Sequence, residues 1–99
     1  MWILQSSEPD GRAVTFRLRP GAIKTVGRAP RADFVVNAAL VSRLHCRIMA
    51  GDDNLEVVDL SSTNGTFVND KRVDRARLTS GDRLRVGRIE LTVGRSARS

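Results

Sequence analysis

Turn residues recur along this chain at short intervals and divide it into segments too short for helices. The clusters are Pro9-Asp10-Gly11, Pro20-Gly21, Gly51-Asp52-Asp53-Asn54, Asn64-Gly65, Asn69-Asp70 and Ser80-Gly81-Asp82. Glycine, asparagine and aspartate at such points favour tight turns. Between the clusters, apolar and polar residues alternate, as in Val14–Leu18 and Leu84–Val86, which is typical of strands with one buried face. The pattern therefore predicts an all-β fold, either an antiparallel sandwich or a barrel.

The predicted strands follow directly from these breaks. They are Met1–Gln5, Ala13–Leu18, Lys24–Val26, Phe34–Val36, His45–Met49, Leu55–Asp59, Thr66–Val68, Lys71–Val73, Arg83–Val86 and Ile89–Val93, with Ala76–Leu78 as a further candidate. The 99 residues suffice for one small domain, which we expect to span residues 1–95. Small polar residues at 96–99 predict a flexible tail or the start of a linker.

The composition indicates the cellular compartment in which this domain functions. No apolar run approaches the roughly 20 residues of a membrane span. The segment Met1–Leu4 has no basic region before it, so we do not interpret it as a signal peptide. Cys46 is the only cysteine, which excludes an internal disulfide and favours a reducing compartment. We expect a cytoplasmic protein, or a nuclear one if the source is eukaryotic, that is not secreted.

The chain is basic, and arginine supplies most of the positive charge. The formal net charge is +6, and the only lysines are Lys24 and Lys71. A basic surface favours acidic partners such as phosphorylated protein, nucleic acid or an anionic membrane face. Arginine also holds phosphate oxygens with two parallel hydrogen bonds, which lysine does not.

Three short segments at predicted strand ends carry the polar chemistry. They are Gly27-Arg28, then Ser42-Arg43-Leu44-His45, then Ser61-Ser62-Thr63-Asn64-Gly65-Thr66. Together they supply two guanidiniums, several hydroxyls and a carboxamide, which suit a phosphate and the peptide that carries it. They assemble no metal site, no nucleophile with its base and no cofactor loop, so we predict neither a cofactor nor catalysis. We expect His45 to be a scaffold residue that holds a loop through its two ring nitrogens.

In this order and spacing, the three segments resemble the motifs of the forkhead-associated (FHA) domain, a module that binds phosphothreonine peptides. Flanking features agree with the family, namely Ala32-Asp33-Phe34 and the stretch from Leu78 to Gly87. The resemblance spans about residues 2–94. It implies a β-sandwich of about eleven strands with the binding loops at one end.

The resemblance also implies a role for each motif residue. Arg28, Ser42, Arg43 and Thr63 would bind the phosphate, and Asn64 would pair with the ligand main chain. The architectural positions would be Gly27, His45 and Gly65. The implied partners are a phosphothreonine-containing protein and an upstream Ser/Thr kinase, with no membrane.

One position departs from part of the family. Some relatives carry an arginine two residues before the motif serine, where it recognises an acidic residue three positions after the phosphothreonine. This chain has Leu40 there. We therefore expect an apolar residue at +3 to be preferred over aspartate.

Two alternative functions stay open from the sequence. An FHA fold can have a phospho-independent protein partner, in which case Arg28 and Ser42 would be remnants. A basic nucleic-acid-binding domain is the other, supported by the arginines at 72, 75, 77, 83, 85 and 88. Nucleic acid is the weaker alternative, because one Trp, three Phe and no Tyr offer no platform for stacking bases.

Overall fold

A computed structural model describes residues 1–6 and 14–96 and contains eleven strands. The strands are β1 Trp2–Ser6, β2 Val14–Leu18, β3 Ile23–Gly27, β4 Phe34–Val35, β5 Cys46–Ala50, β6 Leu55–Asp59, β7 Thr66–Val68, β8 Lys71–Val73, β9 Arg75–Leu78, β10 Arg83–Val86 and β11 Ile89–Arg95. The all-β prediction of about eleven strands is confirmed, and β9 is the further candidate strand. Ala13, the predicted turn at 9–11 and residues 97–99 of the predicted tail lie outside the described residues.

The strands form two sheets that face each other. The six-stranded sheet has the order β2-β1-β11-β10-β7-β8, and the five-stranded sheet has the order β4-β3-β5-β6-β9. All pairings in these orders are antiparallel except that of β4 with β3, where Val26 lies beside Phe34. The segment 28–33 between them returns along the sheet and contains a turn closed by the N–H of Ala32 and the carbonyl of Ala29 at 3.0 Å. The chain then runs alongside β3 in the same direction, a detail that the antiparallel prediction lacked.

Alternate residues of each strand fill the space between the sheets. Ile48 and Val57 of one sheet and Leu84 and Leu91 of the other are almost completely buried. The residues between them point outward, as the two-residue period predicts. The core also encloses Trp2, whose indole N–H donates to the carbonyl of Gly51 at 2.8 Å. Across residues 1–6 and 14–96, no helix is long and apolar enough to cross a membrane.

The sandwich has two ends with different connections. At one end, hereafter the site end, lie the loops 28–33, 36–45 and 60–65, which follow β3, β4 and β6. At the other, hereafter the far end, lie the turns 19–22, 51–54, 69–70 and 79–82. The three motif segments all fall at the site end, because β3 and β6 end there while β5 and β7 begin there.

Candidate functional site

The three site-end loops enclose an open cleft of about 370 Å³. Its lining residues are Arg28, Ala39, Leu40, Val41, Ser42, Thr63 and Asn64. Four of the five residues predicted to contact a ligand therefore share one cleft, and each motif segment contributes to it. Arg43, the fifth, does not line the cleft.

Arg28 is anchored by its backbone and by one side-chain nitrogen. Its N–H donates to the carbonyl of Ser42 at 2.9 Å, and its Nε donates to the carbonyl of Val41 at 3.2 Å. These bonds fix the direction of the side chain and leave both terminal guanidinium nitrogens without a protein acceptor in the described part of the chain. Arg28 thus offers an oriented, uncompensated positive charge to the cleft.

The hydroxyl of Ser42 joins two loops. Its Oγ accepts a hydrogen bond from the N–H of Thr63 at 3.0 Å. Since a hydroxyl both donates and accepts, the Ser42 proton stays available for a ligand oxygen. The same bond fixes Thr63 beside Ser42, so the two residues present their hydroxyls from neighbouring loop tips.

Asn64 reaches from the third loop back to the second. Its Nδ2 donates to the carbonyl of Leu40 at 3.1 Å, which leaves Oδ1 and the second amide proton for other partners. The carbonyl it holds belongs to a residue with a φ of 73°, a left-handed conformation that is uncommon outside glycine. Asn64 therefore stabilises the shape of the cleft wall that Leu40 forms.

His45 is fully buried beneath the cleft and connects the loops through both ring nitrogens. Nδ1 lies 3.0 Å from the N–H of Ser42, and Nε2 lies 2.8 Å from the carbonyl of Gly65. A backbone N–H only donates, so Nδ1 is the acceptor and Nε2 carries the ring proton. With both nitrogens engaged by backbone, His45 holds two loops in place and has no nitrogen left for a ligand.

Two glycines allow the loops to meet. A Cβ on Gly27 would lie 2.1 Å from the carbonyl oxygen of Arg43, so only glycine permits this approach of β3 to the second loop. Gly65 has a φ of 93°, a backbone conformation that residues with a side chain rarely adopt. The Arg72 side chain occupies the space that a Cβ on Gly65 would need.

Asp59 is the centre of a hydrogen-bonded cluster that was not predicted from the sequence. The hydroxyls of Ser62 and Thr66 both donate to Asp59 Oδ1, the latter at 2.7 Å, and the N–H of Ser62 donates to Oδ2. Burial acts to raise the pKa of Asp59, but these hydrogen bonds outweigh it and hold the pKa below its ordinary value. Some hydroxyls that looked available to an anion thus build the loop instead. The only sequence signal was their unusual density around the turn.

The remaining predicted groups occupy simpler positions. The Arg43 side chain is exposed, and its carbonyl accepts from the N–H of Ala29 at 3.0 Å. Burial, with a smaller contribution from Asp59, raises the pKa of the Cys46 thiol to about 12, so the thiol is protonated at neutral pH. Within residues 1–6 and 14–96, no group of His, Cys, Asp and Glu side chains is arranged to hold a metal ion.

Comparison with known proteins identifies the family. The pattern of the FHA domain matches residues 24–87, which include all three motif segments. The chain belongs to the FHA family. The resemblance predicted from the motifs is thereby confirmed.

Curated relatives of this FHA domain are longer than the chain. An ABC transporter ATP-binding/permease protein of Mycobacterium tuberculosis is 42% identical over 78 residues, which are 79% of this chain and 9% of the relative. The glycogen accumulation regulator GarA of the same species is 39% identical over 70 residues, which are 71% of this chain and 43% of the relative. The chain spans less than half the length of either protein.

Solved FHA domains share the architecture along almost the whole chain. The FHA domain of a Chlamydia trachomatis protein superposes with a TM-score of 0.90 at 25% identity, covering 97% of this chain and 98% of the other. The FHA domain of FhaA, solved in complex with the intracellular domain of another protein, gives a TM-score of 0.82 at 36% identity, covering 94% and 99%. A third structure, from a study of phosphothreonine-dependent FHA domain interactions, gives 0.82 at 35% identity, covering 96% of each chain.

Proposed function

We propose that this FHA domain is a phosphothreonine-dependent protein-binding module in Ser/Thr-kinase signalling and performs no catalytic step. The observation that carries the proposal is the convergence of Arg28, Ser42, Thr63 and Asn64 on one cleft. Each comes from a loop that other residues hold in place, and each has polar atoms left for a ligand.

The cleft suits a phosphate. A phosphothreonine carries about −1.5 to −2 charge at neutral pH and three acceptor oxygens. The terminal nitrogens of Arg28 would form charge-assisted hydrogen bonds with it, and the hydroxyls of Ser42 and Thr63 would donate to the remaining oxygens. Arg43, outside the cleft lining, would approach from the solvent side.

Asn64 would form hydrogen bonds with the peptide main chain. Its free Oδ1 accepts from a peptide N–H, and its second amide proton donates to a peptide carbonyl. Such pairing is independent of side-chain identity, so it would add affinity without restricting the sequence around the phosphothreonine.

The state of the reactive side chains supports binding over catalysis. Both nitrogens of His45 are occupied by backbone groups, which leaves no position for proton transfer to a substrate. The Cys46 thiol is buried and protonated, which makes it a poor nucleophile. The FHA structures solved with a partner domain or studied for phosphothreonine dependence also support a binding role. We propose a cytoplasmic location for this domain, or a nuclear one if the source is eukaryotic.

The decisive experiment compares one peptide in two forms. A phosphothreonine peptide selected from a library is titrated against the domain by fluorescence anisotropy, and the same peptide is then titrated after dephosphorylation. We expect affinity to fall by at least about thirtyfold, because a charged group loses its partners. Equal binding of both forms would favour the phospho-independent alternative. Tight binding to a random DNA duplex that persists at high salt would favour nucleic acid.

A further inference from the structure

Two arginines flank Phe67 on the outer face of the six-stranded sheet. Arg85 of β10 is the register partner of Phe67 in β7, and Phe67 is the partner of Arg72 in β8. Phe67 and Arg85 are half-buried and Arg72 is exposed, whereas Leu84 and Val86 on either side of Arg85 face the core. We call Arg72 and Arg85 the arginine row.

The arginine row borders the wall of the cleft. The Arg72 side chain lies against Gly65, the residue that follows Asn64. Arg85 Nη1 is 3.5 Å from the carbonyl of Gly87, and Gly87 packs against the backbone of Leu40. Both Asn64 and Leu40 line the cleft, and a hydrogen bond joins them. A peptide that leaves the cleft over this wall therefore meets the row next.

Neither arginine of the row forms an ion pair among the described residues, although Glu90 of β11 is the register partner of Arg85. Arg83, on the same sheet, lies 3.3 Å from Asp70 and 3.9 Å from Glu90. Among the described residues, neither Arg72 nor Arg85 has a carboxylate within 4.0 Å. The guanidinium of Arg85 instead lies over the Phe67 ring, with its Cζ 4.1 Å from the ring centroid.

We propose that the arginine row binds a second anionic group of the same peptide, either a carboxylate side chain or another phosphate. The inference rests on the proposed function, since the phosphothreonine in the cleft brings the second group into reach. A guanidinium fork suits both carboxylate and phosphate oxygens. Partners with acidic or multiply phosphorylated segments beside the phosphothreonine would thus be selected.

The test uses the 99-residue domain and a set of phosphothreonine peptides with neutral flanks. In this set, a single glutamate is placed in turn at each of about five positions on either side of the phosphothreonine. Five residues of extended chain span about 16 Å, which is about half of the 33 Å longest dimension of the domain. A parallel set carries a second phosphothreonine instead. Each peptide is titrated against the wild type, the double variant R72Q/R85Q and the control R17Q. Arg17 lies on β2 at the opposite edge of the same sheet, on the same outer face.

We expect one side of the peptide to show about a tenfold gain from a second anion, lost in R72Q/R85Q and retained in R17Q. The neutral-flank peptide should bind all three proteins within about twofold. If a second phosphate raises the affinity more than glutamate does, the group bound by the arginine row is a second phosphorylated residue.

The proposal is overturned if no position gives a gain that depends on the row. Phosphate-dependent binding that persists in that case shows that the cleft functions and that the row is solvated surface. It is also overturned if R72Q/R85Q lowers binding to a DNA duplex but not to the acidic peptides. Loss of all phosphate dependence in the wild type would instead refute the proposed function, so the two failures are distinguishable. Melting temperatures of the variants confirm that each is folded.

Discussion

Side-chain hydrogen bonds have different roles at the two ends of the sandwich. Far-end turns are closed by backbone bonds, such as that from the Gly51 N–H to the carbonyl of Asn54 at 2.8 Å, and by bonds from Trp2 to Gly51 and from Arg83 N–H to Asn69. Site-end loops are held by side chains from distant parts of the chain. The bond from Thr63 to Ser42 joins residues 21 apart, and the bond from Asn64 to Leu40 joins residues 24 apart.

The difference shows how the domain combines rigidity with function. At the far end, the Trp2 indole N–H and both polar atoms of the Asn69 amide are bonded within the protein, so these side chains serve the fold. At the site end, Ser42 and Asn64 each use part of their hydrogen-bonding capacity for the loops and keep part for a ligand. The same residues therefore shape the cleft and line it, while His45 and Asp59 hold it from below.

The largest effect expected from this contrast is on binding. Arg28→Ala should weaken phosphothreonine-peptide binding by about 2–5 kcal/mol, because the phosphate loses its charged partner. The control Arg19→Ala removes an equal charge from a far-end turn and should leave affinity nearly unchanged. Titration calorimetry of both variants measures the difference. Similar losses in the two variants would mean that overall charge, and not the cleft, drives binding.

The second effect separates support from ligand contact. His45→Ala should lower the free energy of unfolding by about 2–4 kcal/mol, because it leaves the N–H of Ser42 and the carbonyl of Gly65 without partners. Ser42→Ala should leave stability almost unchanged, since Thr63 N–H is at an exposed tip where water replaces the lost acceptor, and should weaken binding. Urea denaturation and peptide titration together decide the matter. Equal destabilisation by both substitutions would contradict this division.

Glycine substitutions test whether close backbone approach distinguishes the site end from the far end. Gly27→Ala should cost about 3 kcal/mol or more, since the new Cβ would overlap the Arg43 carbonyl and force β3 away from the loop. Gly81→Ala, in a far-end turn with open space around it and a φ of 96°, should cost only about 1–2 kcal/mol of conformational strain. Urea midpoints compare the two. A cost at Gly81 that matches the one at Gly27 would show that close approach is not what distinguishes the site end.

A smaller effect should appear with pH. Since the pKa of Asp59 is lowered in the folded state, its ionised form stabilises the fold above the unfolded pKa of about 3.8, and this stability is lost as pH falls through the folded value. Asp59→Asn should be less stable than the wild type at neutral pH, and the gap should narrow below about pH 4. Asp33, whose pKa is lowered chiefly by the N–H of Thr25, remains in both proteins. A gap that stays constant with pH would exclude the ionisation of Asp59 as its cause.

The smallest effects concern ligand selectivity. A threonine methyl group buried by the domain would be worth about 0.8 kcal/mol, so phosphothreonine should bind several-fold more tightly than phosphoserine. With the half-exposed Leu40 beside the cleft, Ile, Leu or Val at +3 should also bind better than Asp, and Leu40→Arg should reverse that order. Positional-scanning peptide libraries measure both preferences. An Asp preference in the wild type would indicate that another arginine, such as Arg43, recognises the acid.

The strands and far-end turns were predictable because their signals are local. Alternation in Val14–Leu18 and turn residues such as Asn69-Asp70 depend only on near neighbours, and the structure places strands and a turn there. The FHA assignment was likewise carried by three short motifs in a fixed order. Even β9, the weakest strand signal, was recoverable as a candidate at Ala76–Leu78.

Features that depend on strand order were not predictable from a single sequence. The parallel pairing of β4, the acceptance of two hydroxyls by Asp59, and the meeting of Arg85 with Phe67 all involve residues that the folded sheets bring together. Asp59 and Thr66, for example, look like ordinary strand residues until β6 and β7 are placed in opposite sheets. Their chemistry is set by tertiary neighbours, which no local pattern encodes.

The left-handed backbone of Leu40 has a consequence for the thermodynamics of recognition. A non-glycine residue in this region carries about 1–2 kcal/mol of strain, which the hydrogen bond from Asn64 to its carbonyl helps to hold. The loop 36–45 thus loses its conformational entropy when the domain folds, before any partner binds. Preorganisation of this kind raises affinity by lowering the ordering cost of binding, while the strain lowers the stability of the free domain. Glycine at position 40 would have the opposite effect. It would remove the strain from the free domain, and the loop would then lose its conformational entropy on binding each partner.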